Sequence, residues 1–207
     1  MRLYQTAPGE LYLEIDGKEA KLETDDSTAF VAVGLDRALG LLAALDRSAK
    51  LHLYQQHIRL GIFDTGLTIQ EEFRPTLAVS QGGASLFLTD GQSIVLMDAT
   101  GRVRKRLDLH YRLGAINCSS DGHRFVASDF DANVVRIYDG SLTPTHQRFA
   151  VDLLTEAKRA QLMASSATTS AALGPLAINN KGVLAFAVSG TVCVTSLSRM
   201  KALPRTS

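Results

Sequence analysis

The acidic cluster of Asp129, Asp131 and Asn133 contains residues whose types and spacing could bind a metal ion. Carboxylate and amide oxygens at alternate positions begin the calcium loops of EF-hand proteins. Such a loop also needs glycine at its sixth position and glutamate at its twelfth, where this sequence has Val134 and Gly140. Asp and Asn equally favour tight turns, because they tolerate left-handed backbone conformations and cap neighbouring amides. We therefore interpret the cluster as a turn and predict no metal site.

The other candidate groups match no catalytic motif. The sequence contains no nucleophile elbow, zinc-protease motif, phosphate-binding loop or dinucleotide fingerprint. Cys118 and Cys193 lie in apolar runs without a CxxC, which indicates two buried free thiols. His52 and His57 are separated by an odd offset on or beside a strand, which places them on opposite faces. We expect no cofactor.

Arg102, Arg104, Lys105 and Arg106 form the densest basic stretch. If this segment is an outer strand, its charges face solvent and discourage edge pairing; the alternative is a surface for phosphate or an acidic partner. The chain has 22 Lys and Arg against 21 Asp and Glu, so its charge predicts neither nucleic acid nor a membrane as a partner. With no apolar segment near the length of a membrane helix, we expect a cytoplasmic protein.

The elements that must position these residues are predicted to be short β-strands. Apolar or alternating runs of a few residues are broken at close intervals by Gly, Asp, Asn and Ser, a pattern that is typical of strands and turns. A chain of 207 residues of which 45% are hydrophobic can bury a sizeable core. The predicted fold class is therefore all-β, as a sandwich, barrel or propeller.

An internal repeat distinguishes among these folds. Residues 115–139 parse as three strands separated by two turns, and residues 76–98 follow the same plan. A period of about 40 to 45 residues with four strands per unit is typical of propeller blades. Three landmarks recur together, 39, 39 and 41 residues apart: Gly83 and Gly122 at the first turn, Asp90 and Asp129 after the second strand, and Asp98 and Asp139 after the third.

Two weaker copies flank these units, one upstream and one downstream. When the four units are aligned on their turns, Val33, Val79, Cys118 and Ile178 fall into one column on the first strands. Residues at one register position share a face of the sheet. We therefore predict that all four are buried.

The stretch SSDGHRFVASDFDANVVRIYD resembles the blade core of WD-repeat proteins. It has a Ser-x-Asp-Gly turn, a second turn beginning Ser-Asp, and a closing Arg-Ile-Tyr-Asp where many WD repeats have Arg-Ile-Trp-Asp. The chain departs from strict WD repeats because it has no Trp and no Gly-His dipeptide opening a blade. The resemblance implies a looser, bacterial-style β-propeller of about four to five blades.

We predict one propeller domain over residues 1–207. The fourth repeat has three clear strands and lacks an outermost one, so we expect Leu11–Ile15, in an N-terminal hairpin, to pair with the last blade and close the ring. The alternative is a ring completed by another chain. The predicted segments are the hairpin at 1–28, repeats at 29–73, 74–112, 113–151 and 174–200, and a helical and flexible insertion at 152–173.

The insertion interrupts an otherwise regular period, and neighbouring blades need only short connections. Leu153, Leu154, Ala157 and Leu162 have helical spacing, and Asp152 is a suitable N-cap. We predict a short helix beginning near Asp152, packed beside the third and fourth blades, with part of its apolar stripe available to another protein.

The resemblance also implies that loops before each first strand lie on one rim, where propellers recognise partners. Two such loops contain an aromatic residue followed by arginine, residue types enriched in interfaces; the aromatic residues could instead pack between blades. The predicted partner-binding residues are Phe73, Arg74, Tyr111, Arg112, Leu154 and Leu162.

These features favour a non-enzymatic scaffold that presents propeller loops to a protein partner or within a larger complex. The alternative is an enzymatic, ligand-binding or metal-binding propeller. Its site would lie in the central channel and would be built from several blades, so it would leave no local motif.

Overall fold

Antiparallel β-strands make up most of the computed structural model. The model describes residues 2–15, 17–25, 27–36, 40–80, 85–157, 159–160, 173–188 and 191–202. Contacts between residues divide the chain into two compact units, Met1–Arg106 and Leu107–Ser207. Five sheets are formed by the described residues, each with strands in antiparallel pairs. The all-β fold class is confirmed.

The first unit contains sheets 1 to 3, except for the last two residues of sheet 3, Leu107 and Asp108, and the strands of each sheet pair in chain order. Sheet 1 has β1 (Arg2–Ala7), β2 (Glu10–Ile15) and β3 (Lys18–Lys21). Sheet 2 has β4 (Phe30–Asp36), β5 (Leu41–Asp46), β6 (Lys50–Gln55) and β7 (Ile58–Asp64). Sheet 3 has β8 (Thr76–Val79), β9 (Leu86–Thr89), β10 (Ser93–Met97) and β11 (Val103–Asp108).

The second unit contains sheets 4 and 5. Sheet 4 has β12 (Leu113–Cys118), β13 (Arg124–Asp129), β14 (Val134–Asp139) and β15 (Pro144–Phe149). Sheet 5 has β16 (Leu173–Ile178), β17 (Val183–Val188) and β18 (Thr191–Ser196). A short strand near the C-terminus, β19 (Lys201–Ala202), joins β15 on the outer side of sheet 4.

The middle strands of each four-stranded sheet carry most of the core. Every residue of β5, β9 and β10 is buried, whereas β7 and β11 alternate or are largely exposed. Continuous apolar runs suit strands that are covered on both faces, and alternating or charged runs suit strands at an edge. Three residues of the basic stretch, Arg104, Lys105 and Arg106, lie on β11, the outermost strand of sheet 3, and all three are exposed, as the solvent-facing interpretation requires.

Aspartate and asparagine side chains close the turns between strands. Asp139 Oδ1 accepts hydrogen bonds from the backbone amides of Ser141 and Thr143, both at 2.9 Å. Asp98 Oδ1 caps its turn in the same way, and a hydrogen bond from the Thr100 hydroxyl is the main cause that lowers the pKa of Asp98 to about 2. Aspartates recur at the turns of the repeat because their carboxylates accept hydrogen bonds from the backbone amides of those turns.

The predicted column of four buried first-strand residues is confirmed only in part. Cys118 and Ile178 are buried and Val79 is half-buried. Val33, however, is 46% exposed, so its predicted burial is wrong.

The error at Val33 is a two-residue shift in the alignment of the first repeat. Leu35 precedes Asp46 by 11 residues, just as Cys118 precedes Asp129, so Leu35 is the structural counterpart of Cys118. Leu35 is half-buried and packs against the core that sheet 2 shares with sheet 1. Alternation could not reveal the shift, because residues two apart lie on the same face.

The predicted pairing of Leu11–Ile15 with the last blade is also wrong. These residues belong to β2, which pairs with β1 on one side and β3 on the other. Leu11 and Leu13 are buried in a cluster with Leu42 and Tyr54 of sheet 2. The N-terminal segment therefore forms a three-stranded sheet of its own, and the single domain over residues 1–207 stays a prediction.

Candidate protein-interaction surface

The second strands of sheets 2, 3 and 4 end in, or are followed directly by, a buried aspartate, and this residue organises the next turn. In each case Oδ1 accepts hydrogen bonds from turn amides, which fixes the backbone between the second and third strands. The bonds are from Ser48 and Lys50 to Asp46 at 2.8 and 3.0 Å, from Gln92 and Ser93 to Asp90 at 2.9 and 2.7 Å, and from Ala132 to Asp129 at 3.0 Å. We call Asp46, Asp90 and Asp129 the closing aspartates.

The second oxygen of each closing aspartate has a different partner. Asp46 Oδ2 lies 2.8 Å from His52 Nε2, and Asp129 Oδ2 accepts a 2.9 Å hydrogen bond from Arg136 Nη2. Asp90 Oδ2 accepts from the backbone amide of Thr68 at 3.2 Å instead.

These partners differ because one position of the third strand changes its residue type. His52, Val95 and Arg136 each lie opposite the residue two before the closing aspartate. The position is a histidine in sheet 2, a valine in sheet 3 and an arginine in sheet 4. Of these, only the arginine is a permanent cation, so sheet 4 alone among the three combines the buried aspartate with a fixed ion pair.

Arg136 also connects the closing aspartate to Tyr111. Its guanidinium lies 4.2 Å from the centre of the Tyr111 ring, and its Nη1 donates to Gln147 Oε1 at 2.9 Å. The Tyr111 hydroxyl is hydrogen-bonded to the hydroxyl of Tyr138. Burial raises the pKa of both tyrosines. Tyr111 is half-buried and packs within the second unit.

Arg112, the other half of this predicted pair, is exposed beside Phe130. Its Nε donates to both carboxylate oxygens of Asp131 at 3.0 Å, and its Nη2 also bonds that carboxylate. The same guanidinium lies 5.2 Å from the centre of the Phe130 ring, which is 61% exposed. The hydrogen bonds from Arg112 lower the pKa of Asp131. We call Arg112, Phe130 and Asp131 the Phe130 patch.

Backbone contacts also hold this patch in place. The amide of Phe130 donates to the carbonyl of Arg112 at 2.8 Å. On one side of the turn, Asp129 is fixed by Arg136; on the other, Asn133 adopts a left-handed conformation with φ of 52°. An exposed aromatic ring therefore projects from a turn that these hydrogen bonds hold, beside a guanidinium that is itself held by a carboxylate.

Phe73 and Arg74 lie in the first unit. Phe73 is half-buried and covers Gly91, whose φ is +97°. A Cβ at Gly91 would lie 2.6 Å from the Cβ of Phe73, so the contact depends on glycine. This placement supports the packing interpretation of Phe73. Arg74 is exposed, and its role in partner binding stays a prediction.

The insertion begins with a 3₁₀ helix at Ala150–Leu153, followed by α-helical residues at 156–157 and 159–160. Leu154 is only 8% exposed and belongs to the core of the second unit, together with Met200. Its predicted availability to a partner is therefore wrong, since Leu154 is covered by this chain's own residues. Elsewhere on the predicted stripe, Leu153 is half-buried and Ala157 is exposed. Leu162 lies outside the described residues.

Both ends of the insertion are hydrogen-bonded to Asn133. The amide of Ala150 donates to the Asn133 carbonyl at 2.9 Å, and the amide of Leu173 donates to Asn133 Oδ1 at 3.3 Å. The three polar residues first tested as a calcium loop thus all have partners in the protein: Asp129 binds Arg136, Asp131 binds Arg112, and Asn133 holds the insertion. Residues 130–133 form the turn between β13 and β14, as predicted.

Phe130 is the residue that the sequence analysis missed. Its signal was present, because it is a large aromatic residue in a turn otherwise made of Asp, Ala and Asn. A turn composition favours solvent exposure, so an aromatic residue there is either buried by a neighbour or available to a partner.

Other candidate chemistry is sparse among the residues that the structure describes. Within those ranges, no three His, Cys, Asp or Glu side chains are grouped as metal ligands, and no helix is long and apolar enough to cross a membrane. Cys118 and Cys193 are buried thiols that form no disulfide bond, as predicted. Burial is the main cause that raises the pKa of Cys118 to about 12.

No family model matches the sequence, and no curated protein matches it. Solved structures do show similarity at the level of the fold. A structure of U3-55K has 11% sequence identity and a TM-score of 0.63 over 87% of this chain and 52% of that chain. A crystal structure of RRP9 WD40 repeats has 10% identity and a TM-score of 0.63 over 98% of this chain and 56% of that chain.

Raptor from Chaetomium thermophilum has 12% identity and a TM-score of 0.61 over 86% of this chain and 16% of that chain. The chain thus spans about half the length of the U3-55K and RRP9 chains and a much smaller share of Raptor. Identities this low carry the fold alone. The antiparallel sheets, the closing aspartates and these structures together show that the chain has a WD-repeat-like β-propeller fold.

Proposed function

We propose that this chain is a non-enzymatic protein-interaction scaffold and that the Phe130 patch is its main contact with a partner. The observation that carries the proposal is the exposure of Phe130, 61% of whose surface is accessible in a turn held at both ends. Aromatic residues and arginine are the types most enriched at the centres of protein interfaces.

The rigidity of the patch supports this role. Association orders flexible side chains at a cost of about 0.5 to 1.5 kcal/mol each. Arg112 is already fixed by the Asp131 carboxylate and by the Phe130 ring. A partner that covers Phe130 therefore gains apolar burial without ordering these side chains first.

The charge of the patch favours a protein over a nucleic acid. The positive charge of Arg112 is compensated by Asp131, whose carboxylate accepts bonds from the guanidinium. A phosphate placed here would meet that carboxylate, and phosphate contacts dominate nucleic-acid affinity. An apolar or aromatic side chain of a protein suits a neutral aromatic patch better.

The predictions about the class of partner, the cellular compartment and the larger complex are proposals as well. We propose that the partner is a protein, encountered in the cytoplasm, and that the chain works within a larger complex. Completion of a ring by another chain would be one form of such a complex, and light scattering that returns a clean monomer of the purified chain would count against that form.

Affinity capture of the intact chain from its native lysate tests the scaffold. We expect at least one protein to be captured by the unmodified chain and lost with Phe130→Ala. Ile58→Ala is the matched control, because Ile58 is equally exposed at 60% but lies in the first unit. Circular dichroism of each variant checks that the sheets are intact.

Arg112→Lys separates geometry from charge, because lysine keeps the charge and loses the two-oxygen contact with Asp131. We expect weaker capture with this variant. If Phe130→Ala captures the same proteins in the same amounts as the unmodified chain, the Phe130 patch is not the contact and the proposal fails.

A further inference from the structure

A cavity of about 310 Å³ in the second unit lies beside the tyrosine pair. The size falls at the lower end of the range for pockets that hold small molecules. Its lining is mainly apolar, with Leu107, Leu109 and Pro144 on one part and the two tyrosines on another. None of these residues belongs to the Phe130 patch, so the cavity is separate from the proposed interaction surface.

The two tyrosine hydroxyls have one more hydrogen atom than their shared hydrogen bond uses. Burial raises the pKa of Tyr111 and Tyr138, so both phenols are protonated near neutral pH. Each hydroxyl has one hydrogen, and a single hydrogen lies between the two oxygens in their bond. The second hydrogen needs an acceptor outside the pair, and the hydrogen bonds among the described residues supply none. A molecule in the cavity can supply it.

Gln147 offers the opposite group to the same cavity. It lies opposite Arg136 in the antiparallel pairing, on the face of sheet 4 that carries Tyr138, whereas His146 lies opposite Ile137 on the other face. Gln147 Oε1 accepts a hydrogen bond from Arg136 Nη1 at 2.9 Å. A side-chain carbonyl oxygen has two lone pairs, so this oxygen can accept from a ligand as well.

The charged groups that line the cavity cancel. Asp108 and Arg136 contribute one charge of each sign, and the Arg136 guanidinium is further held by the buried Asp129. Transferring a charged ligand from water into a mainly apolar site is costly unless an opposite charge meets it. The lining therefore suits an uncharged ligand.

We propose that this cavity binds a small uncharged molecule with an apolar body and a carbonyl group. The carbonyl oxygen accepts the spare tyrosine hydrogen, and the apolar body packs on Leu107, Leu109 and Pro144. A primary amide is the best match, because its N–H group can also donate to Gln147 Oε1, which lines the same cavity.

Three probes of similar size test the ligand class: benzamide, toluene and benzoate. Saturation-transfer NMR with the full chain gives their relative affinities. We expect benzamide to bind several-fold more tightly than toluene, which has no acceptor, and than benzoate, which is charged. Tighter binding of benzoate would overturn the uncharged class, and absence of binding by all three would overturn the site.

The count of hydrogens gives a sharper test. Tyr111→Phe leaves one hydroxyl, whose hydrogen is now available to the ligand, so benzamide affinity should change less than twofold. The double variant Tyr111→Phe, Tyr138→Phe leaves none. There benzamide should bind about tenfold more weakly, the effect of one lost hydrogen bond, while toluene binding is unchanged. Equal benzamide affinity in the double variant would refute the donor role.

A second variant keeps the location testable if the double variant fails to fold. Leu109 is half-buried on the cavity wall, and Leu109→Phe adds volume there without touching either hydroxyl. We expect it to abolish binding of benzamide and toluene together. Unchanged binding of both probes would show that they bind elsewhere and would overturn the site.

Discussion

Replacing the closing aspartate of sheet 4 should destabilise the protein about twice as much as the same replacement in sheet 3. Asp129 is 2% exposed and binds Arg136, whose side chain is 25% exposed. In Asp129→Asn, the amide either keeps its oxygen on the turn and turns its NH₂ group toward the guanidinium, or does the reverse. In either orientation the amide NH₂ group faces another N–H donor, from the turn or from the guanidinium. The arginine also loses its charged partner.

The expected magnitude follows from that loss. Breaking a buried ion pair from one side costs about 3 to 5 kcal/mol. Since the Arg136 side chain is partly accessible to water, the lower end applies, about 3 kcal/mol. For a chain of this size, 1 kcal/mol corresponds to roughly 2 to 4 °C, so the melting temperature should fall by about 6 to 12 °C.

Asp90→Asn is the matched comparison. Asp90 is 5% exposed and caps its turn in the same way, but Val95 stands where sheet 4 has Arg136. This variant loses one hydrogen bond to a backbone amide and leaves no buried cation, which costs about 1.5 kcal/mol. The difference between the two variants isolates the contribution of the arginine.

Urea denaturation followed by far-UV circular dichroism gives both free energies of unfolding. The double variant Asp129→Asn, Arg136→Val copies the arrangement of sheet 3, so it should recover at least half of the loss seen in Asp129→Asn. Equal costs for Asp129→Asn and Asp90→Asn, or no recovery in the double variant, would refute the assignment of the ion pair as the source of the difference.

Three smaller predictions test other features. Gly91→Ala should lower the melting temperature more than Gly17→Ala, because both glycines have positive φ but only the first would bring a Cβ against Phe73. Cys118 should resist iodoacetamide at pH 8 in the folded chain and react after denaturation, since burial raises its pKa to about 12; labelling of native protein would contradict this. The pKa of Asp98, lowered from 3.8 to about 2, contributes stability above pH 4 that is lost as the pH falls toward 2, so Asp98→Asn should flatten that part of the acid-denaturation curve.

The turns were the most predictable part of the fold. Asp90, Asp98, Asp129 and Asp139 recur at near-constant spacing because each carboxylate satisfies amides of the residues that follow it. This interaction joins residues close together in the chain, so it can be predicted from a single sequence. The strands of sheets 3 and 4 then follow from the apolar runs between those turns.

Long-range packing was not predictable in the same way. Helical spacing placed Leu154 on an apolar stripe. It could not show that Met200, 46 residues later, belongs to the same core. The sequence likewise gave no sign that β1 would join β2, because Arg2–Ala7 lacks a regular apolar alternation. Which surface covers an apolar stripe is decided by the whole chain rather than by the stripe.

The candidate site contains one residue that the sequence predicted and contacts that it could not predict. The sequence analysis identified Arg112 through its residue type and its position before a first strand. It could not pair Arg112 with Phe130 and Asp131, since that contact depends on how the entry loop lies against the second turn of sheet 4. The pairing of the Tyr111 and Tyr138 hydroxyls is of the same kind, joining residues 27 positions apart.

The hydrogen bonds that join Asn133 to both ends of the insertion have a consequence for the evolution of this chain. Ala150 and Leu173 are hydrogen-bonded to one residue, so the segment between them is a closed loop whose end-to-end distance the sheet fixes. The entropy of closing a loop grows only with the logarithm of its length, and doubling the length costs about 0.6 kcal/mol. Residues added between the two anchors would lengthen this closed loop without changing the distance that the sheet sets, so this junction is a natural place for descendants of this chain to acquire new sequence.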